Sequence, residues 1–159
     1  MEPKRYAWVV PGRVAVAERP GGGGRTHRRE RRIAEQAWWR AAGVTAVVSA
    51  MRSRHGLADY ALDGLEVRWH PLKDPEQARD ELPRLAGTVA ALVERDRGAV
   101  LVHADHANEW LAAADAAVRV RLGLARDTWA GLAQAAGDGL PVGALAHALL
   151  DPVPAGAAR

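Results

Sequence analysis

Gly98-Ala99-Val100-Leu101-Val102-His103-Ala104-Asp105-His106-Ala107-Asn108-Glu109-Trp110-Leu111-Ala112-Ala113 is the stretch whose reading decides the fold. The short apolar run after Arg97-Gly98 ends in a polar loop, which predicts a fully buried strand of a parallel sheet. The alanine-rich run from Trp110 predicts the helix that leaves the loop. A strand, a tight polar loop and a helix N-terminus gather backbone N–H groups and the positive end of a helix dipole around one point, which is the general layout of an anion site.

Working backward, Gln77 to Arg95 reads as a helix with Leu82, Leu85, Val89 and Leu92 on one stripe, its first turns disturbed by Pro83. Before it, Leu65 to His70 alternates as a strand with Val67 and Trp69 on one face, and Leu57 to Leu62 suggests a short helix. Val44 to Ser49 follows Gly43 and predicts a central parallel strand. Just past its C-terminal end, at the edge where open α/β sheets bind ligands, stand Arg52, Arg54 and His55. The alternative for these three is an ordinary charged loop.

At the start of the chain, Tyr6 to Val10 and Val14 to Ala17 predict two short strands around Pro11-Gly12. The glycines at 21–24 form a loop that is not a nucleotide P-loop, because no Gly-Lys-Ser/Thr follows. A helix starting near Thr26 and running through Ile33, Trp38 and Ala41 comes next. The arginines between Arg25 and Arg32 are either a basic rim for a phosphorylated or nucleic acid partner, or a solvated helix face. After the central loop, Trp110 to Leu122, Arg126 to Ala136 and Val142 to Leu150 predict three helices, and Asp151 to Arg159 a frayed tail. Strands alternating with helices, then a helical cap, give a single α/β domain over residues 1–150 with a mostly parallel central sheet.

The chain of 159 residues is long enough to bury a core of its own, and its formal charge of +3 says little about partners. Arginine stands in for lysine almost throughout. No cysteine is present, which excludes disulfides and thiolate metal sites. With no membrane-spanning run and no signal-peptide pattern, the expected location is the cytoplasm. Phenylalanine is absent and tryptophan abundant, so tryptophans are expected to fill core volume.

The central stretch resembles the cysteine-dependent protein tyrosine and dual-specificity phosphatases, whose signature is His-Cys, five residues, then Arg, between a buried strand and a helix. Trp8-Val9-Val10-Pro11-Gly12-Arg13-Val14-Ala15-Val16 is similar to the opening of small dual-specificity phosphatases and supports the likeness independently. In that family the cysteine attacks phosphorus as a thiolate and the arginine grips the phosphate oxygens. Here His103 matches the histidine, while the cysteine position is Ala104, the usual glycine is Ala107 and the arginine position is Trp110. The resemblance implies loop ordering by His103 through hydrogen bonds. It also implies a general-acid role for Asp74, for which helix capping is the favoured alternative.

Alanine offers no nucleophile and tryptophan cannot clamp a phosphate, and Asp105 and Glu109 add negative charge to the loop. The sequence therefore predicts a pseudophosphatase-like domain that binds a phosphorylated ligand or another protein through His103, Asp105, His106, Ala107, Asn108, Glu109, Arg52, Arg54 and His55. Two enzyme readings stay open: a cysteine enzyme inactivated by a change at Ala104, and a re-tooled site using His106 with Asp105 and Glu109. No cofactor is expected. His103, Asp105 and His106 sit too close in one loop to converge tetrahedrally on a metal.

Overall fold

A computed structural model describes residues 3, 5–22 and 27–150. Its five strands are β1 (Tyr6–Val10), β2 (Val14–Glu18), β3 (Val44–Ser49), β4 (Glu66–Trp69) and β5 (Ala99–Ala104). They form one sheet in the order β1-β2-β5-β3-β4. The β1–β2 hairpin is antiparallel and every other pairing is parallel. The hairpin turns at Pro11-Gly12, where Gly12 takes φ 71° and Arg13 N donates to Val10 O at 2.9 Å. That backbone conformation suits glycine because a Cβ would be strained there.

The described residues also form six helices: α1 (Arg29–Ala41), α2 (Leu57–Leu62), α3 (Pro75–Arg95), α4 (Glu109–Arg121), α5 (Thr128–Gly137) and α6 (Ala144–Leu150). Strand β5 sits at the centre with every residue buried, and its side chains alternate between two layers. Val100, Val102 and Ala104 face a core with α3 and α4, built on Leu82, Leu85, Val89 and Leu111. Ala99 and Leu101 face the opposite core, with Trp39 of α1 and Tyr60 of α2. In β3 a register shift between Val44 and Ala46 puts Val44 and Val47 on the same face despite their odd spacing. Gly98 leads into β5 beneath Thr45, whose Oγ1 would lie 2.1 Å from any Cβ added there. Helices α5 and α6 pack outside α4 through Leu132, Ala146 and Ala116.

Several expectations change. Helix α3 is continuous through Pro83, and it begins at Pro75, behind an Asp74 cap. Pro83 is exposed while Ala78, Leu82, Leu85 and Ala86 are buried on the opposite stripe, so packing holds the helix across the hydrogen bond that proline cannot make. Helix α1 begins at Arg29 with Arg28 as its N-cap residue and no side-chain cap; Arg25 and Thr26 lie outside the described residues, as does the tail 151–159. Trp39 is fully buried, whereas Trp129 is 66% exposed and stacks on His147 with ring centroids 4.4 Å apart. No helix among the described residues is long and apolar enough to cross a membrane.

Candidate ligand cavity at the carboxyl edge of the sheet

The loop of residues 105–108 leaves β5 at the carboxyl edge of the parallel strands. Arg19 N extends the β2–β5 ladder one step by donating to Ala104 O at 2.8 Å, and Ala50 N donates to His103 O at 2.8 Å. Above these strand ends lies a cavity of about 190 Å³. Ala104, only 4% exposed, contributes its methyl group, and Met51, Leu72 and Trp110 add apolar wall. Arg52, Asp105, His106 and Asn108 supply the polar lining. The nucleophile and phosphate-arginine positions of the resembled signature thus both open on one cavity, as a methyl group and an indole.

The loop's polar side chains are largely committed within the protein. Asn108 caps α4, its side chain accepting from Leu111 N at 3.1 Å. Glu109 reaches across to α6 and accepts from Ala146 N at 3.3 Å, outside the cavity, so it does not join Asp105 and His106 in a re-tooled site. Asp105 is shared: Oδ1 accepts from Arg19 Nη1 at 3.0 Å, and Oδ2 lies 3.2 Å from His106 Nε2. The His106 side chain is half exposed. Ala107 lines a separate cleft with Leu111 and Leu140.

His103 does not line the cavity. The parity of β5 turns it into the opposite layer, against Tyr60 and Trp39 at 5.6 and 6.3 Å between ring centroids. It is fully buried, and the polar group nearest to acting as its hydrogen-bond partner is the Ala104 backbone. Burial lowers its pKa to about 4, since an imidazolium there would be desolvated. The hydrogen bond with the Ala104 backbone, at the foot of the loop, opposes that shift and is outweighed by burial.

The remaining candidates scatter. Asp74 accepts from Gln77 N at 2.9 Å as the cap of α3, so its carboxylate is occupied by the helix end. Arg52 donates to the Lys73 carbonyl and stands at the cavity. Arg54 lies over the Trp69 ring, 4.5 Å from its centroid, and His55 packs edge-on against His27 at 5.6 Å. In the basic run, Arg31 is bound to Glu35 and Glu18 and Arg32 to Asp59, so both are anchors of α1. Among the described residues no three His, Asp or Glu side chains gather closely enough to hold a metal ion.

Arg19, Met51, Trp69, Leu72 and Lys73 are the residues that sequence reasoning missed. Each follows or ends a strand at the sheet edge already singled out by Arg52, so their positions carried the signal even though their types are those of ordinary core and surface residues.

Among the described residues no thiol, hydroxyl or amine lines the cavity, and His106 stands there beside the Asp105 carboxylate. The sequence matches no protein-family model and no curated protein. Solved structures do resemble it: human DUSP28 has a TM-score of 0.63 at 18% identity, over 97% of this chain and 90% of that one. Tk-PTP in its active form gives 0.64 at 18% identity, over 92% and 94%. A leucine rich repeat and phosphatase domain containing protein from Entamoeba histolytica gives 0.64 at 8% identity, over 91% and 87%. The central strand, the loop that follows it and the helices on both faces of a five-stranded sheet therefore compose the α/β fold of the dual-specificity and tyrosine phosphatases.

Proposed function

We propose that this protein is a phosphatase-fold domain without cysteine-dependent catalysis, which acts by binding a phosphorylated ligand or the surface of another protein. One observation carries the reading: the methyl group of Ala104 and the indole of Trp110 line the same cavity at the carboxyl edge of the sheet. Covalent phosphoryl transfer needs a nucleophile to take the phosphoryl group and donors to stabilise the charge that develops on it. Losing one such donor alone costs about a hundredfold to a thousandfold in rate. Here both functions are absent, and the Asp105 carboxylate stands on the lining where a substrate anion would sit.

If Ala104 replaced a cysteine in an otherwise working enzyme, Trp110 would still leave the phosphate unclamped. A second reading draws on the Asp105–His106 pair, in which the carboxylate orients an imidazole capable of base catalysis. Hydrolysis of p-nitrophenyl phosphate separates the two. The binding reading expects no release of nitrophenol above buffer from the unaltered chain. Release that disappears in His106→Ala establishes the second reading and removes the first.

A further inference from the structure

Two cations, Arg54 and Lys73, flank the Trp69 ring and a third, Arg52, is tied to the Lys73 carbonyl, all with no ion-pair partner among the described residues. Trp69 ends β4, the last strand of the sheet, and is anchored by donation from its Nε1 to Met51 O at 2.9 Å. The Arg54 guanidinium lies 4.5 Å from its ring centroid and Lys73 Nζ 5.8 Å. Arg52 donates to the Lys73 carbonyl, which ties the third cation to the same corner. All three are exposed. The ion pairs found elsewhere on the molecule leave them out, so their charge is directed at solvent.

Beyond Trp69 runs an open groove of about 520 Å³ with Leu57, Ala58 and Val67 on its walls, Arg54 beside them and Arg68 paired with Glu66. On the other side, Arg52 leads into the cavity lined by Ala104. The cavity is apolar on most of its walls, and its own acidic group is Asp105. A dianion seated inside would meet the Asp105 carboxylate along with Arg52, His106 and Asn108; an apolar side chain would meet Met51, Leu72, Ala104 and Trp110. Charge and shape therefore divide the work: anionic groups outside on the cations, an apolar group inside.

We infer that Trp69, Arg52, Arg54 and Lys73 form an anion shelf that holds an acidic segment of a partner protein, one apolar side chain of which enters the cavity lined by Ala104. This rests on the binding reading above and names the partner's chemistry. Cations stacked on an aromatic face are held in place before the partner arrives, which lowers the ordering cost of pairing with carboxylates.

The test is fluorescence anisotropy with a fluorescein-labelled acidic peptide, glutamates flanking one central leucine. The full chain should bind it, and Arg54→Glu with Lys73→Glu should weaken binding about tenfold or more. Both residues are exposed, so an unchanged thermal melt establishes that the variant is folded. Arg126→Glu, at a side chain 88% exposed in the α4–α5 loop, should leave affinity unchanged, and replacing the peptide's leucine by glycine should weaken it. Equal affinity in the shelf variant, equal weakening by Arg126→Glu, indifference to the leucine, or tighter binding of a DNA duplex of matching charge would each overturn the shelf. Any of these with p-nitrophenyl phosphate still uncleaved removes the shelf alone; cleavage removes the binding reading beneath it.

Discussion

His103 shows how one side chain can keep a signature's letter while serving another layer. A neutral imidazole between Tyr60 and Trp39 is stable only while it stays unprotonated. Its pKa is about 4 in the fold against about 6.5 for an exposed histidine, so the unfolded chain binds the proton more tightly. The stability tied to the neutral ring is complete above the unfolded value and is lost as pH falls from there through the folded one. Urea melts at pH 7 and pH 4.5 should show the unaltered protein losing about 2 kcal/mol more than His103→Leu. Equal losses would mean that the ring is hydrated in solution. Nothing in the sequence announced this, because a strand buried on both faces gives no period from which to read which layer residue 103 enters.

At the scale of elements, α4 carries the molecule's tightest charge problem. Asp115 is fully buried and bound by Arg119 Nε at 2.7 Å, while the same guanidinium reaches Asp138 at the end of α5 and Gln134 Oε1 at 3.0 Å. Two carboxylates thus share one guanidinium. Burial, reinforced by the hydrogen bond with Asp138, raises the Asp115 pKa. The folded state therefore holds the proton more tightly than the unfolded one, and stability associated with it is greatest at acid pH and declines as pH rises toward the folded value. Asp115→Asn leaves a balanced Arg119–Asp138 pair, so its stability relative to the unaltered protein should rise between pH 5 and pH 8. Arg119→Met leaves both carboxylates facing each other and should cost about 3–5 kcal/mol at pH 8. Chemical denaturation at the two pH values reads both, and an Asp115→Asn penalty that grows with pH would contradict the assignment.

The elements themselves were legible wherever short-range chemistry set them. Val44 to Ser49 and Ala99 to Ala104 stand out as apolar runs after glycine, and Asp74-Pro75 spells a helix start. Partners distant in sequence were not legible. Glu109 looks like a residue of its own loop until α6 arrives with Ala146, and Trp69 looks like a core residue until Arg54 and Lys73 flank it.

For the molecule as a whole, the sheet carries a loop and a helix N-terminus to one edge and surrounds them with the ends of neighbouring strands. Ala104 and Trp110 make the cavity apolar, and the unpaired cations lie outside it, at Trp69. Under the binding reading proposed above, this recess and its charged rim are the groups that a partner would meet.

The most direct measurement restores those groups. Initial rates of p-nitrophenyl phosphate hydrolysis should be compared for the unaltered protein, Ala104→Cys alone, Trp110→Arg alone and the two together. If the scaffold is that of a phosphatase lacking its nucleophile and clamp, only the double variant turns over, with a rate that falls to background when its thiol is alkylated. Turnover by the unaltered chain, or a folded double variant that remains inert, would contradict the account.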